Sequence, residues 1–184
     1  MDIPDSIIRD IYEGKASLFL GAGASCEANF PDGWGIANYL REQAGSSLSG
    51  VLKDQPLNNT AEYLFAEEGY GQGWVQEKLV QWFQELHQKL PRPPSPAHDL
   101  MTRFKWRTIF TTNYDRLVET AYESGAAIQS LIPVYAPSST LNARTPGALW
   151  YIKLNGSVDE AMRNEQHEMV LTFSQQVNAR RRNS

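Results

Sequence analysis

Three short apolar runs in this 184-residue chain each end abruptly in small or polar residues. "ASLFL" (16–20) leads into "GAGAS", "RTIF" (107–110) into "TTNYD", and "ALWYIKL" (148–154) into "NGS". Strands that are apolar throughout are typical of a parallel sheet covered on both faces. In open parallel sheets, ligands bind beyond the carboxyl ends of the strands. The sequence therefore predicts that the three polar segments converge on one crevice.

Segments with helical periodicity separate the apolar runs, which favours an α/β fold with a mostly parallel sheet. The predicted strands are 16–20, 107–113, 131–135, 148–157 and 168–173. The predicted helices are 3–11, 35–43, 61–68, 74–90, 98–104 and 114–124. Gly14 is expected to end the first helix, and Ser95 to cap the fifth. We interpret residues 1–184 as a single domain with a helical insertion at about 34–104.

Gly21 and Gly23 follow the first predicted strand. Glycines here let the main chain turn tightly and approach a pyrophosphate, with the N–H groups of the next helix aimed at the phosphates. The alternative is a strand-to-helix turn that binds nothing. The ordinary dinucleotide fingerprint is incomplete, because Cys26 stands where its third glycine would be. A Walker A loop is excluded, because no Gly-Lys-Ser/Thr follows.

Asn113 and Asp115 lie just past the second strand in "FTTNYD". An amide both donates and accepts, so it is able to orient a water or a ribose hydroxyl. A carboxylate is able to bind a ribose diol or a carboxamide, or to stabilise a developing cation. The alternative is helix capping, with Thr112 or Asn113 as the N-cap and Asp115 in the first turn.

The third segment, "KLNGS", contains Asn-Gly, which is also a common turn dipeptide. The histidines offer no metal site, since no pair has the spacing of metal ligands. We expect His87 to lie on the surface of its helix, His98 to be structural, and His167 to lie in a charged stretch.

The composition excludes several classes of protein. A net charge of −4 provides no basic face for nucleic acid. One cysteine, Cys26, allows neither an internal disulfide nor a cysteine-based zinc site, and indicates a reducing, cytoplasmic location. No secretory signal and no apolar run near the ~20 residues of a membrane span is present, so no membrane association is expected.

Taken together and in this order, the motifs resemble those of the sirtuin-like family, in the branch found in bacterial antiphage defence. The matching motifs are "GAGAS" at 21–25, "FTTNYDRLVE" at 110–119 and "KLNGS" at 153–157. "SPAHDLM", "MVLTF" and Trp34 in "FPDGWGIANYL" also match the family pattern. The middle motif is the most specific, and the likeness covers most of the chain.

The resemblance implies a Rossmann-like three-layer domain that binds NAD⁺, without a metal, and cleaves its nicotinamide–ribose bond. It implies that Asn113 positions the attacking water and that Asp115 faces the nicotinamide amide. The further NAD⁺-contacting residues it implies are Gly21, Ala22, Gly23, Ala24, Ser25, Trp34, Thr111, Thr112, Gly156 and Ser157.

The chain departs from the family at the position of the catalytic histidine, which is Asn155 here. An asparagine does not take a proton near neutral pH, so this copy is expected to be inactive or weakly active. The four-cysteine zinc module of the sirtuin deacetylases is absent, which favours NAD⁺ hydrolysis over deacetylation. Family members continue with further domains, so we expect a fragment of a larger protein, a homo-oligomer, or a partner of a defence complex.

Two functions remain open at this point. The first is an NAD⁺ hydrolase that depletes NAD⁺ during antiphage defence, compromised at Asn155. The second is a catalytically silent module that binds NAD⁺ or ADP-ribose as a sensor or an assembly unit.

Overall fold

The computed structural model describes residues 3–124, 127–135, 147–163 and 169–182. In these ranges four strands form one sheet in the order β1-β2-β4-β3, and every neighbouring pair is parallel. The strands are β1 (Ser17–Leu20), β2 (Thr108–Thr111), β3 (Ser130–Tyr135) and β4 (Ala148–Lys153). This parallel sheet with its helices is a Rossmann-like α/β fold, so the predicted fold class is confirmed.

Helices occupy most of the chain between the strands. They are α1 (Asp5–Tyr12), α2 (Gly23–Cys26), α3 (Gly33–Ala44), α4 (Ser46–Ser49), α5 (Leu57–Ala66), α6 (Gly71–Gln88), α7 (Pro96–Met101), α8 (Leu117–Glu123), α9 (Val158–Arg163) and α10 (Phe173–Arg182). Helices α2 to α7 all lie between β1 and β2 in the chain. Ser95 caps α7 as predicted, since its Oγ accepts a hydrogen bond from the His98 N–H.

Two apolar clusters make up the core of the described residues. The larger one joins α3, α5 and α6 to Leu117, Val158 and Leu171. The smaller one contains Ile109 and Tyr151 of the sheet, together with side chains from α7 and α8. Residues that follow β2 and β4 therefore pack against the helical layer, which couples that layer to the ends of the strands.

Strands β1, β2 and β4 end at the same level. Leu20 pairs with Thr111, and Thr111 pairs with Lys153. The ladder continues one step beyond, because the Thr112 N–H donates to the Leu20 carbonyl (3.3 Å) and the Leu154 N–H to the Thr111 carbonyl (2.8 Å). The segments that follow β1, β2 and β4 consequently begin side by side at one edge of the sheet.

Two predicted elements are wrong in part. No strand forms over 169–172, and Phe173 begins α10; Glu168 lies outside the described residues. Met169 and Leu171 are buried in the larger apolar cluster, so the apolar run serves the core and not the sheet. A short apolar run alone does not distinguish these roles.

The helix predicted to begin at Tyr114 begins at Leu117. Neither Thr112 nor Asn113 is its N-cap, which is Arg116. The first turn is displaced because the Asp115 carboxylate accepts the Leu117 N–H at 3.0 Å, so the preceding residues form a separate turn.

Helix α1 forms as predicted but buries none of its residues. Ile7 and Ile8 on its apolar face are exposed, as is Ile3 before the helix, and Phe19 on the edge strand β1 is 62% exposed. Across the described ranges, no helix is both long enough and apolar enough to cross a membrane.

Candidate functional site

The Asn113 side chain joins the segment after β2 to the segment after β1. Its Nδ2 donates to the Gly21 carbonyl at 3.0 Å and to the Ser25 Oγ at 2.8 Å. Both amide protons are thus engaged within the protein. Asn113 can therefore offer a ligand only its Oδ1, as an acceptor.

Ser25 continues this chain of hydrogen bonds. It is 2% exposed, and its Oγ donates to the Asp115 Oδ2 at 2.7 Å. The other carboxylate oxygen of Asp115 accepts the Leu117 N–H at 3.0 Å. Asp115 is 4% exposed, so its buried carboxylate joins the segment after β1 to the start of α8. Its contact with a nicotinamide amide stays a prediction.

Thr111 and Thr112 link the polar segments through different groups, Thr111 through its side-chain hydroxyl and Thr112 through its backbone carbonyl. The Thr111 hydroxyl donates to the Leu20 carbonyl and accepts the Asn113 N–H, both at 3.0 Å. The Thr112 carbonyl accepts from the Asn155 Nδ2 at 3.2 Å, which brings in the segment after β4. Thr111 is buried and so orients Asn113, whereas Thr112 links two of the predicted site segments.

Asn155, Gly156 and Ser157 make up the third polar segment, which follows β4. The Asn155 backbone carbonyl accepts the Val170 N–H at 3.0 Å, and the Val170 carbonyl accepts from the Tyr114 hydroxyl at 2.7 Å. Burial raises the pKa of Tyr114. Gly156 has φ +79°, a left-handed conformation that favours glycine. Ser157 is 1% exposed and its Oγ lies 3.5 Å from the Tyr114 carbonyl. Asn-Gly thus makes a turn here, and the Asn155 bond to the Thr112 carbonyl brings this turn beside the segment after β2.

The glycines of the first segment leave open space above them. A Cβ placed on Gly21 or Gly23 would meet no atom within 4 Å, and neither residue has a positive φ. The Ala24 and Ser25 N–H groups fold back onto the carbonyls of Gly21 and Ala22. The fold itself therefore does not require glycine at 21 and 23, whereas close approach of a ligand to the backbone would.

Trp34 lies apart from this arrangement. It is 53% exposed at the start of α3 and lines a cavity of about 360 Å³ together with Tyr114 and Leu171. Residues 21–25 do not line that cavity. Contact between Trp34 and a nucleotide stays a prediction.

His87 was missed as a site residue, and its expected position on the surface is wrong. Its ring packs against Phe30 with centroids 4.8 Å apart, and its Nε2 accepts the Arg116 N–H at 3.1 Å. Burial lowers the pKa of His87 to about 4, although the carboxylates of Asp115 and Asp159 oppose the shift. The imidazole is therefore neutral at pH 7 and holds the turn after Asp115 as an acceptor. Helical periodicity alone carried no signal of this contact.

His98 is buried, as expected of a structural residue, and burial lowers its pKa. Its Nδ1 lies 2.8 Å from the Ser95 Oγ, and that hydroxyl donates to Glu27 just beyond the glycine segment. This network connects α7 to the end of α2. His167 lies outside the described residues.

Lys153 is a second residue that the sequence did not single out. Its side chain is fully buried and donates to the carbonyls of Tyr114 and Asp115 and to Glu119. Among the described residues, no group of three or more histidine, cysteine or acidic side chains is arranged to hold a metal ion.

The chain is similar to a known family and to several curated proteins. Residues 107–183 match the family model of a SIR2-like domain. The chain is 27% identical over 124 residues to the NAD(+) hydrolase ThsA of Acinetobacter baumannii (strain 532279), covering 67% of this chain and 24% of that protein. It is 22% identical over 151 residues to the ThsA of Bacillus cereus (strain MSX-D12), covering 82% and 30%.

A third relative is the Defense-associated sirtuin 2 of Bacillus subtilis, 25% identical over 163 residues, which cover 86% of this chain and 15% of that protein. The chain thus spans between 15 and 30% of the length of these curated relatives.

Proposed function

We propose, from the premise that this chain carries a sirtuin-like domain, that the crevice above β1, β2 and β4 binds NAD⁺ and belongs to an NAD⁺-hydrolysing protein of antiphage defence. The observation that carries the proposal is the hydrogen-bond chain from Gly21 through Asn113 and Ser25 to Asp115. It places a glycine turn, an amide and a carboxylate at the carboxyl edge of a parallel sheet, where nucleotides bind.

The open backbone at Gly21 and Gly23 is the proposed seat of the pyrophosphate. A phosphate oxygen accepts hydrogen bonds from backbone N–H groups, and the absence of side chains allows the close approach that these bonds need. Asn113 Oδ1 is the proposed acceptor for a ribose hydroxyl or for the attacking water. Gly156 and Ser157 are proposed to line the ribose side of the nucleotide.

The proposed reaction breaks the bond between C1′ of the ribose and the nicotinamide nitrogen. The bonding electrons leave with nicotinamide, a water oxygen bonds to C1′, and one proton is released. The ribose passes through an oxocarbenium-like state, which a nearby carboxylate stabilises. Asp115, buried beneath the crevice, is the carboxylate that the structure offers for this role.

Asn155 determines how fast such a reaction runs. Its amide donates to the Thr112 carbonyl and is unable to accept a proton at neutral pH. General base catalysis typically contributes about 10²–10⁴-fold to a rate. We therefore propose that this chain hydrolyses NAD⁺ far more slowly than a protein with histidine at this position.

The second candidate is a silent module that binds NAD⁺ or ADP-ribose. The presence of asparagine at position 155 favours this candidate. An asparagine that cannot accept a proton slows hydrolysis, but binding of the nucleotide needs no proton transfer at that position. Under either function we propose a cytoplasmic protein that works as an oligomer or with a partner. The single cysteine supports the cytoplasmic location.

The test incubates the purified chain with NAD⁺ and follows free nicotinamide, while calorimetry measures binding of NAD⁺ and ADP-ribose. Release that disappears in Asn113→Ala supports the hydrolase. No release by the chain, with binding retained and release gained in Asn155→His, supports a disabled hydrolase. Binding without gain in Asn155→His supports the silent module. Absence of binding, with no rise in melting temperature at millimolar NAD⁺, refutes both functions, because a ligand that binds only the folded state raises its stability.

A further inference from the structure

Lys153, the last residue of β4, is 0% exposed. An ammonium group taken from water to a protein interior loses several kcal/mol of solvation unless it is paired and fully hydrogen-bonded. Lys153 meets that condition, because the three protons of its Nζ have three acceptors. These are the Tyr114 carbonyl at 3.4 Å, the Asp115 carbonyl, and the Glu119 Oε1 at 3.1 Å.

The three acceptors belong to the turn between β2 and α8 and to α8 itself. Tyr114 and Asp115 follow Asn113 directly, and Glu119 lies in the first turn of α8. Lys153 lies two residues before Asn155. A single ammonium group thus ties the segment carrying Asn113 and Asp115 to the segment carrying Asn155.

Other bonds converge on the same turn. The Tyr114 carbonyl also accepts the Val158 N–H at 3.1 Å, at the start of α9. The Arg116 N–H donates to His87, and the Leu117 N–H to the Asp115 carboxylate. Lys153 is the only cation that the described contacts place on the carbonyls of this turn.

Stability alone does not account for a buried ion pair. Replacing such a pair by apolar residues of similar volume is often neutral or stabilising, whereas removing one partner is strongly destabilising. Burial raises the pKa of Glu119, although the positive charge of Lys153 opposes this shift. An apolar pair would fill the space, but it would not bind the carbonyls of Tyr114 and Asp115.

We propose that Lys153 is a positioning residue, whose ammonium group sets the geometry of the 113–115 turn relative to Asn155 and thereby determines nucleotide affinity. The part concerning affinity rests on the proposed function. The part concerning the turn does not, because it can be measured without any nucleotide.

The test compares the chain with the double variant K153M/E119L, in which an apolar pair replaces the buried ions. Exchange of the Asn113 side-chain amide protons, followed by NMR, reports the position of the turn, since Nδ2 bonds to Gly21 and Ser25. Urea denaturation measures stability, and calorimetry measures NAD⁺ affinity. We expect a folded protein whose Asn113 amide exchanges at least tenfold faster and whose NAD⁺ affinity is at least tenfold lower.

Two further variants separate positioning from stability. Leu64→Ala removes a fully buried apolar side chain of α5 and no hydrogen bond of the turn, so it should lower stability while leaving Asn113 exchange and affinity within twofold of wild type. Glu119→Gln removes the ion pair but keeps an acceptor for Lys153, so it should retain the Asn113 exchange rate and the affinity. A role limited to the ion pair would instead make Glu119→Gln resemble K153M/E119L.

Wild-type exchange at Asn113 in K153M/E119L would overturn the proposal. Faster exchange with unchanged NAD⁺ affinity would overturn the link to binding. If no protein of the set, wild type included, binds NAD⁺, the proposed function fails while the exchange rates still decide whether Lys153 positions the turn.

Discussion

Lowering the pH from 7 to 4 should cost this protein stability through His87, and substitution by glutamine should remove that loss. The neutral ring accepts the Arg116 N–H at Nε2, and protonation would convert this acceptor into a donor facing another donor. A glutamine side chain would place an amide oxygen near the position of Nε2 and would not titrate. The variant His87→Gln therefore keeps an acceptor and removes the proton-binding group.

The sign follows from the pKa of the folded state. Burial lowers the pKa of His87 from 6.5 to about 4, so between these values the unfolded chain binds more protons than the folded protein. The contribution of the neutral ring is complete above pH 6.5 and is lost as the pH falls to 4. At about 1.4 kcal/mol per pKa unit the ceiling is about 3 kcal/mol. We expect about 1–2 kcal/mol, because the ring is only half-buried and solvent weakens its interactions.

Urea denaturation of both proteins at pH 7, 6, 5 and 4 provides the measurement. The free energy of unfolding of wild type minus that of His87→Gln should fall by about 1–2 kcal/mol between pH 7 and pH 4. Loss of the packing on Phe30 shifts the difference equally at every pH and does not imitate this slope. His98 and the carboxyl groups titrate in both proteins and so cancel. A difference that stays constant with pH would refute the assignment of a buried, neutral acceptor.

Three further predictions concern the crevice. Gly23→Ala should leave the melting temperature unchanged or slightly raised, because the added Cβ meets no atom of the protein. It should weaken NAD⁺ binding measured by calorimetry, because the Cβ would occupy the space proposed for the pyrophosphate. Unchanged affinity would mean that the pyrophosphate binds elsewhere. Ser25→Ala should lower the free energy of unfolding in urea by about 1–3 kcal/mol, because it removes a partner of both Asn113 and Asp115 inside the protein; a loss below about 0.5 kcal/mol would contradict the buried network. Gly156→Ala should cost about 1–2 kcal/mol from its positive φ, measured in the same way, and a neutral effect would show that this turn adopts another conformation.

Much of the sheet was predictable because its signals are local. The runs around Phe19, Ile109 and Leu149 are apolar and short, and each became a parallel strand within one to four residues of the predicted bounds. The segment 168–173 has the same local character and forms no strand over its described residues. Its Met169 and Leu171 pack instead in the larger apolar cluster, with side chains of α3, α5 and α6. No local sequence pattern predicts which apolar surface a short apolar run will pack against.

The candidate site also contains residues that the sequence singled out and residues that only the structure revealed. Asn113, Asp115 and Asn155 stood out because they follow predicted strands at the carboxyl ends, where open parallel sheets bind ligands. His87 and Lys153 did not stand out, since one lies in a long helix and the other within a strand. Their partners are backbone groups distant in the chain, an amide 29 residues away and a carbonyl 38 residues away. Such contacts exist only once the layers have packed.

The amino-acid sequence by itself determined the alternation of strands and helices and the polar character of the strand ends, because these depend on hydrophobic periodicity and on residue types within a few positions. The tertiary structure decided that β1, β2 and β4 end at one level, at Leu20, Thr111 and Lys153, so that the polar segments after these strands meet. It also decided that the buried Lys153 ammonium and the neutral His87 imidazole hydrogen-bond to the backbone of residues 114–116. Strand register and burial are set by the summed packing of the whole chain, and no single segment encodes them.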